Sequence, residues 1–461
     1  PDFLDEHAAF YAKQHRDVVR KCVRVHAFTL ESVDESDEDA RVIDFLDRSQ
    51  SVSSSYLGFI TLRPLRHARI GASILKPGLP GVTARDDFPV HIAGNTFCVN
   101  GTPFLQQDSA VGACAQASIW MALRTMRQRF GNAAYSPAEL TIAATKYFTS
   151  DRVFPGRAGL EVSQMLEAIR FAGHDPLHLD LREIESNPNR AREVINRAGP
   201  YLESGLPVIL ALQHKRRGHA VVAIGRNAEA VPAVEAVDPT LRGTEDWISG
   251  LIVQNDALGP YQVLQDLLGP ANPELRYELW HADSLIVPLP DAVFTTAAEA
   301  RQLAQKALQK ASILFTADES RDPGFLEGPT VEMALRTYLC RRHTFRRWAK
   351  NAPELSHVVR GAFRTAELPP LIWVVELHIA EMYDPIGRSP SRCGEVILDA
   401  SADTLHGDGL IAIRLSGRMF PELGIENSLL LVEGESLKFV TTEMGDLGQA
   451  LWEPWRDSED V

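Results

Sequence analysis

Apolar residues recur at helical spacing through residues 114–130, where Ile119, Leu123, Met126 and Phe130 share one face and Gly131-Asn132 ends the run. Ser136-Pro137-Ala138-Glu139 is a capping box with proline at the first helical position, so a second helix starts there. A third helix is expected over 159–171, closed by Gly173 and Pro176, and a fourth over 191–204. The period then changes. Residues 206–212, 219–225 and 247–254 are short, nearly continuous apolar runs, the pattern of buried strands. Upstream, a helix is predicted over 6–22 on Phe10, Tyr11, Val18 and Val19. A solvated acidic loop is expected over 31–39, a strand over 56–64 ending at Pro64, and two short strands over 90–99 around Gly94-Asn95. Downstream, Thr296-Ala297-Ala298-Glu299 caps a helix running to about 315, and 332–350 reads as a helix with a basic face. After Pro369-Pro370, strands are expected at 371–379, 394–398, 409–415, 428–432 and 437–441. Helices first and strands second describe an α+β protein. The three regions are an N-terminal α+β part (1–100), a core (101–290) and a C-terminal part, helical then β-rich (291–461).

Composition narrows the classes. The chain has 461 residues, 45% hydrophobic and 23% charged, enough for a packed core in two or three domains. A formal charge of -14 argues against a general nucleic-acid or anionic-membrane surface. The five cysteines (Cys22, Cys98, Cys114, Cys340, Cys393) are scattered, with no CxxC or zinc-finger spacing, so no metal site and no disulfide framework are expected and a reducing cytoplasm fits. No apolar run reaches membrane-spanning length, and the first twenty residues lack the apolar core of a leader. No phosphate-binding loop or dinucleotide fingerprint occurs, so no cofactor is expected.

One constellation carries chemistry. Cys114 stands at the start of a predicted helix, where the dipole and unsatisfied backbone N–H groups favour a thiolate and a low thiol pKa. Gln106 and Gln107 lie just upstream and can supply an oxyanion donor. Gly218-His219 opens an apolar strand, placing an imidazole where it can act as base. Asp256 and Asn255, at the end of the following strand, and Asp238, before Pro239, are candidates for fixing its tautomer; Asp256 is preferred. Arg216 and Arg217, beside His214, can grip an acidic group of a substrate. The segment from Cys340 to Lys350 mixes basic and aromatic residues as nucleic-acid binders do, but reads as a helix with a solvated basic face, so no nucleic-acid partner is expected.

A helix-starting cysteine after glutamine, then SGLPVILALQHKRRGHAVVAIG, then a strand ending VQNDALGPY, resembles a papain-like cysteine peptidase over residues 100–265. The bacterial branch of bacteriocin-processing (double-glycine leader) peptidases is the nearest flavour. The resemblance implies a papain-like core, a helical part packed on an antiparallel sheet. It implies Gln107 in the oxyanion hole, Cys114 as nucleophile, His219 as base, and Asn255 or Asp256 as its orienter, acting on a protein or peptide. Two departures stand out: Ala113 and Ala115 replace the usual polar or glycine neighbours of the nucleophile, and 226–246 lengthens the chain before the acid-bearing strand. They leave room for a rival reading, a papain-like binding module without turnover.

Overall fold

The computed structural model describes residues 22–29, 38–51, 55–64, 68–107, 113–146, 159–184, 187–214, 217–230, 232, 241–265, 277–316, 332–386, 390–402, 409–415, 427–433, 436–442, 448–449 and 451. Among these lie eight α-helices and three largely antiparallel sheets, a mixed α+β protein. None of the described helices is long and apolar enough to cross a membrane. The chain divides into two compact units: Pro1–Ala191 with Leu206–Arg226 and Leu251–Pro290, and Arg192–Gly205 with Asn227–Gly250 and Asp291–Val461.

The first unit opens with β1 (Val23–Phe28), α1 (Glu38–Ser51), β2 (Tyr56–Leu62), β3 (Ser73–Leu75), β4 (Asp86–Ile92) and β5 (Asn95–Phe104). Its first sheet runs β1-β2-β3-β5-β4. The helix expected over 6–22 lies outside the described residues, as do 31–37 of the expected acidic loop. Residues 38 and 39 instead open α1. The β4–β5 hairpin turns through Ala93 (φ 48°) and Gly94 (φ 88°). Two successive left-handed residues give the turn whose twist matches that of the strands.

Then come α2 (Cys114–Phe130), α3 (Pro137–Ala144), α4 (Val162–Phe171), β6 (Asp175–Asp180), α5 (Asn187–Glu203), β7 (Val208–His214), β8 (Arg217–Ala228), β9 (Leu241–Gly243), β10 (Ile248–Asn255), β11 (Gly259–Gln265) and β12 (Ala282–Leu289). The helix α2 stops as its sequence demands: Gly131 takes φ 68° and returns its N–H to the Arg127 carbonyl. Ser136 and Glu139 form both halves of the capping box on α3. A six-stranded sheet runs β11-β10-β8-β7-β12-β6. The apolar faces of α2, α3 and α4 bury Ile119, Met121, Leu140, Met165 and Ile169 with Ile209, Val222, Ile224 and Ile252 of the sheet. Each such side chain contributes about 1.5–3 kcal/mol on leaving water. Two bridges tie this sheet to the loop before β4. Val82 pairs with Gly225, and the Arg226 N–H reaches the Gly81 carbonyl. Backbones approach so closely there that a Cβ on Gly81 would fall 1.7 Å from the Arg226 oxygen. The Tyr261 hydroxyl extends the connection, donating to the Leu75 carbonyl and accepting the Thr102 N–H.

In the second unit, α6 (Ala297–Thr316) starts at the expected Thr296–Glu299 box. It is followed by β13 (Met333–Arg341), α7 (Arg342–Asn351), α8 (His357–Thr365), β14 (Leu371–Ile379), β15 (Arg392–Asp399), β16 (Leu410–Leu415), β17 (Asn427–Glu433) and β18 (Ser436–Thr442). The seven-stranded sheet runs β18-β17-β16-β15-β14-β13-β9, antiparallel except for the β13–β9 pair. The helix expected over 332–350 is thus half wrong: it is a strand up to Arg341 and a helix only from Arg342. Residues 333–340 are buried on both faces and flanked by β14 and β9, so the run has no polar face to show its period. Phe345 of α7 sits in the core with Phe363 and Ile372, and Trp348 packs against it.

Across this sheet runs a buried ionic row. Arg336, Glu376, Glu395 and Arg414 stand directly opposite one another on β13, β14, β15 and β16. Two carboxylates therefore face each other. Arg392 bridges them, 2.8 Å from Glu376 and 3.0 Å from Glu395. Glu203 completes a balanced set of three cations and three anions through its 2.8 Å contact with Arg336. Burial pushes the Glu376 carboxyl up, but Arg392 and Arg336 override it and hold the group well below the usual range. Its stabilising charge is present above the unfolded carboxylate pKa and is lost as pH falls through the lower folded value. Glu376→Gln is expected to cost about 3–5 kcal/mol, because it leaves buried guanidinium charge uncompensated. Urea denaturation at pH 7 measures this; a loss under 1 kcal/mol would refute it.

Candidate active site

His219, Asn255 and Asp256 come together within the first unit, and the charge of Asp256 acts on Cys114. Cys114 is the first residue of α2. Ala113 at the N-cap has no side chain with which to cap the helix. His219 lies near the start of β8. Asn255 ends β10, the strand beside β8, and Asp256 begins the turn after it.

The state of the imidazole can be worked out from its neighbours. Asn255 Oδ1 accepts the N–H groups of Ala257 at 3.0 Å and Leu258 at 3.3 Å. Those two donors identify the atom as the amide oxygen and fix the side chain. The same oxygen lies 3.3 Å from His219 Nε2. Only a protonated Nε2 can satisfy it, so the neutral ring carries its hydrogen on Nε2 and leaves Nδ1 with a lone pair. Burial lowers the His219 pKa, against the opposing pull of Asn255, and so keeps that neutral form at pH 7. The Tyr277 ring stacks on the imidazole, centroids 5.1 Å apart and planes 28° apart.

Asp256 is the unexpected member. It is fully buried, and Oδ1 lies 3.5 Å from His219 Nε2. Burial raises its pKa well above the ordinary value. Burial disfavours the charged carboxylate and outweighs the backbone N–H groups of Asp256 and Ala257, which favour it.

The thiol departs from the expectation of a lowered pKa. Cys114 is half-buried, and its pKa is pushed up to about 11, first by burial and then by Asp256. The backbone N–H groups of Ala220, Ala115 and Cys114 itself pull the other way and do not prevail. The helix terminus thus acts in the expected direction but is outweighed by desolvation.

The two glutamines separate. Gln106 Oε1 accepts the Ile70 N–H at 2.9 Å, and its carbonyl takes the Arg63 guanidinium, so it serves as a brace between segments. Gln107 is half-buried and has no hydrogen-bond partner among the described residues. Arg217 is exposed on β8; Arg216 and Asp238 lie outside the described residues. Sequence reading missed Tyr277, His281 and Trp280, which cluster near His219 and His214. Their only signal was the aromatic and histidine content of residues 277–281. Among the described residues, no three His, Cys, Asp or Glu side chains form a metal-holding group.

Asp256 gives a prediction whose sign is fixed. Its proton is held more tightly folded than unfolded, so it costs nothing below the unfolded carboxyl pKa and increasingly more as pH rises toward the folded value. Asp256→Asn should therefore raise the melting temperature at pH 8, with the gain closing by about pH 4. A gain independent of pH would show that the carboxyl is ionised in the fold.

Compared with protein-family models and with the curated proteins, the chain matches none.

Proposed function

We propose that this protein is a thiol hydrolase of papain-like architecture, a cysteine peptidase acting on protein or peptide amides. The observation that carries the reading is the His219 tautomer: Asn255 holds Nε2–H, which leaves Nδ1 as the proton acceptor. The raised thiol pKa means the resting site is neutral rather than an ion pair. Proton transfer from sulfur to Nδ1 accompanies attack on the amide carbon. The tetrahedral oxyanion takes the Cys114 N–H and the Gln107 amide, the two donors of an oxyanion hole. The imidazolium then protonates the leaving amine, and water attacks the thioester to release the acid and return the thiol. The same groups serve deamidation or transamidation if the acyl acceptor changes. Five free cysteines suit a reducing compartment such as the cytoplasm.

A second reading has one observation in its favour. A thiol held at about 11 suits a papain-like binding module that has no turnover. Hydrolysis of a fluorogenic peptide library by the full chain decides between them. Cys114→Ala should abolish cleavage, and His219→Ala should slow it by about 10²–10⁴-fold. Full activity in Cys114→Ala would end the hydrolase reading. Iodoacetamide supplies a check without a substrate. A His219-assisted Cys114 should be labelled faster than Cys22 and Cys98 at pH 7, and His219→Ala should remove the advantage. Uniformly slow labelling would favour the binding module.

A further inference from the structure

The hairpin that holds His219 presents more than the base. On β7 and β8, Leu212 stands opposite His219 and His214 opposite Arg217. Strand side chains alternate, so Leu212, His214, Arg217 and His219 share one face. The Tyr277 ring adjoins both imidazoles, 5.1 Å from His219 and 6.4 Å from His214 between centroids.

The proton position on His214 is dictated from a backbone amide two groups away. The Glu278 N–H donates to His281 Nδ1 at 2.9 Å, so a neutral His281 carries its hydrogen on Nε2. Burial, and then His214, lower the His281 pKa and keep that ring neutral. His281 Nε2 faces His214 Nδ1, which must therefore accept. His214 is left with its own hydrogen on Nε2. That atom has no partner among the described residues and is not buried. Trp280 stacks on His281 at 3.7 Å and holds the inner ring of the relay. The neighbouring anions are occupied: Glu278 accepts the Trp280 indole N–H, and Asp283 pairs with Arg190. Arg217 is exposed, and no described carboxylate pairs with it. A fixed N–H donor and a cation with no carboxylate partner among the described residues thus stand side by side across two strands, on the face of the base.

We propose that Arg217 and the outward Nε2–H of His214 form a carboxylate-binding subsite, so that the favoured substrate bears a carboxylate one or two residues from the scissile amide. The proposal rests on the hydrolase reading of Cys114 and His219. The reach follows from strand geometry: His214 lies two positions along the hairpin from the level of His219, about 7 Å, or two residues of extended peptide. A guanidinium beside an N–H donor matches the two oxygens of a carboxylate. The carboxylate can belong to an acidic side chain or to a free C-terminus.

Alkylation of the full chain tests this without a known substrate. Iodoacetate carries the carboxylate and iodoacetamide does not. The ratio of their rates at each cysteine, read by mass spectrometry, isolates the anion effect. At low salt the ratio at Cys114 should exceed that at Cys22 and Cys98 by about threefold to fivefold, and 0.5 M salt should reduce it. Arg217→Gln and His214→Ala should each lower the ratio while leaving the iodoacetamide rate within about twofold, the scatter of a surface change. His214→Gln, which keeps an N–H donor, should restore part of it. A ratio at Cys114 equal to that of the exposed cysteines, or unmoved by Arg217→Gln, would overturn the subsite. The ratio is read at whatever rate Cys114 reacts, so it stands apart from the hydrolase reading, which fails on the iodoacetamide rate alone. Protection against iodoacetamide distinguishes the two sources: N-acetyl-glutamate amide protects if an acidic side chain is recognised, N-acetyl-alanine if a free C-terminus is. Protection by neither overturns the subsite as well.

Discussion

The candidate site depends on the orientation of one amide. Two N–H groups in the turn after β10 fix which end of Asn255 faces the histidine, and that settles where the imidazole keeps its hydrogen. The proposed chemistry rests on this: with the opposite tautomer Nδ1 would carry a hydrogen and could not accept a proton. Backbone geometry at a tight turn thus sets the polarity of a side chain on the neighbouring strand. The turn is held in turn by the strand after it. Tyr261 takes φ 55° and Gly259 φ 137°, and Gln254 binds the Tyr261 N–H.

Asparagine and aspartate side by side share the work unequally. Asn255 makes the directed contact, whereas Asp256 stands slightly farther from the ring. An ionised carboxylate there would hold the imidazolium, but it would also oppose the thiolate. The upward shift that burial imposes on the carboxyl weakens that opposition.

Much of this was legible in the sequence, for identifiable reasons. The start of α2 at Cys114, its end at Gly131, both capping boxes and β14 emerged from local rules that act within a few residues. The strand pair carrying His219 was visible because buried strands are almost purely apolar. What escaped was set by distant partners. β13 looked helical because its neighbours in the sheet come from remote stretches of chain. β6 and β12 pair across a hundred residues and carry weak alternation. The division of labour between Gln106 and Gln107 depends on Ile70, and that between Asn255 and Asp256 on which of them meets turn amides. The thiol pKa failed as a sequence inference because helix termini are local and burial is not.

The ionic row in the seven-stranded sheet bears on how that sheet finds its alignment. Its plus, minus, minus, plus sequence across four strands is satisfied in one arrangement, with Arg392 seated between the two carboxylates. Sliding any strand by a single position would swing its ionic residue to the other side of the sheet and strand the opposing charge in a dry interior. An all-aliphatic row would tolerate such misalignment at little cost. The charges therefore add a penalty to misaligned pairings beyond the one hydrophobicity imposes.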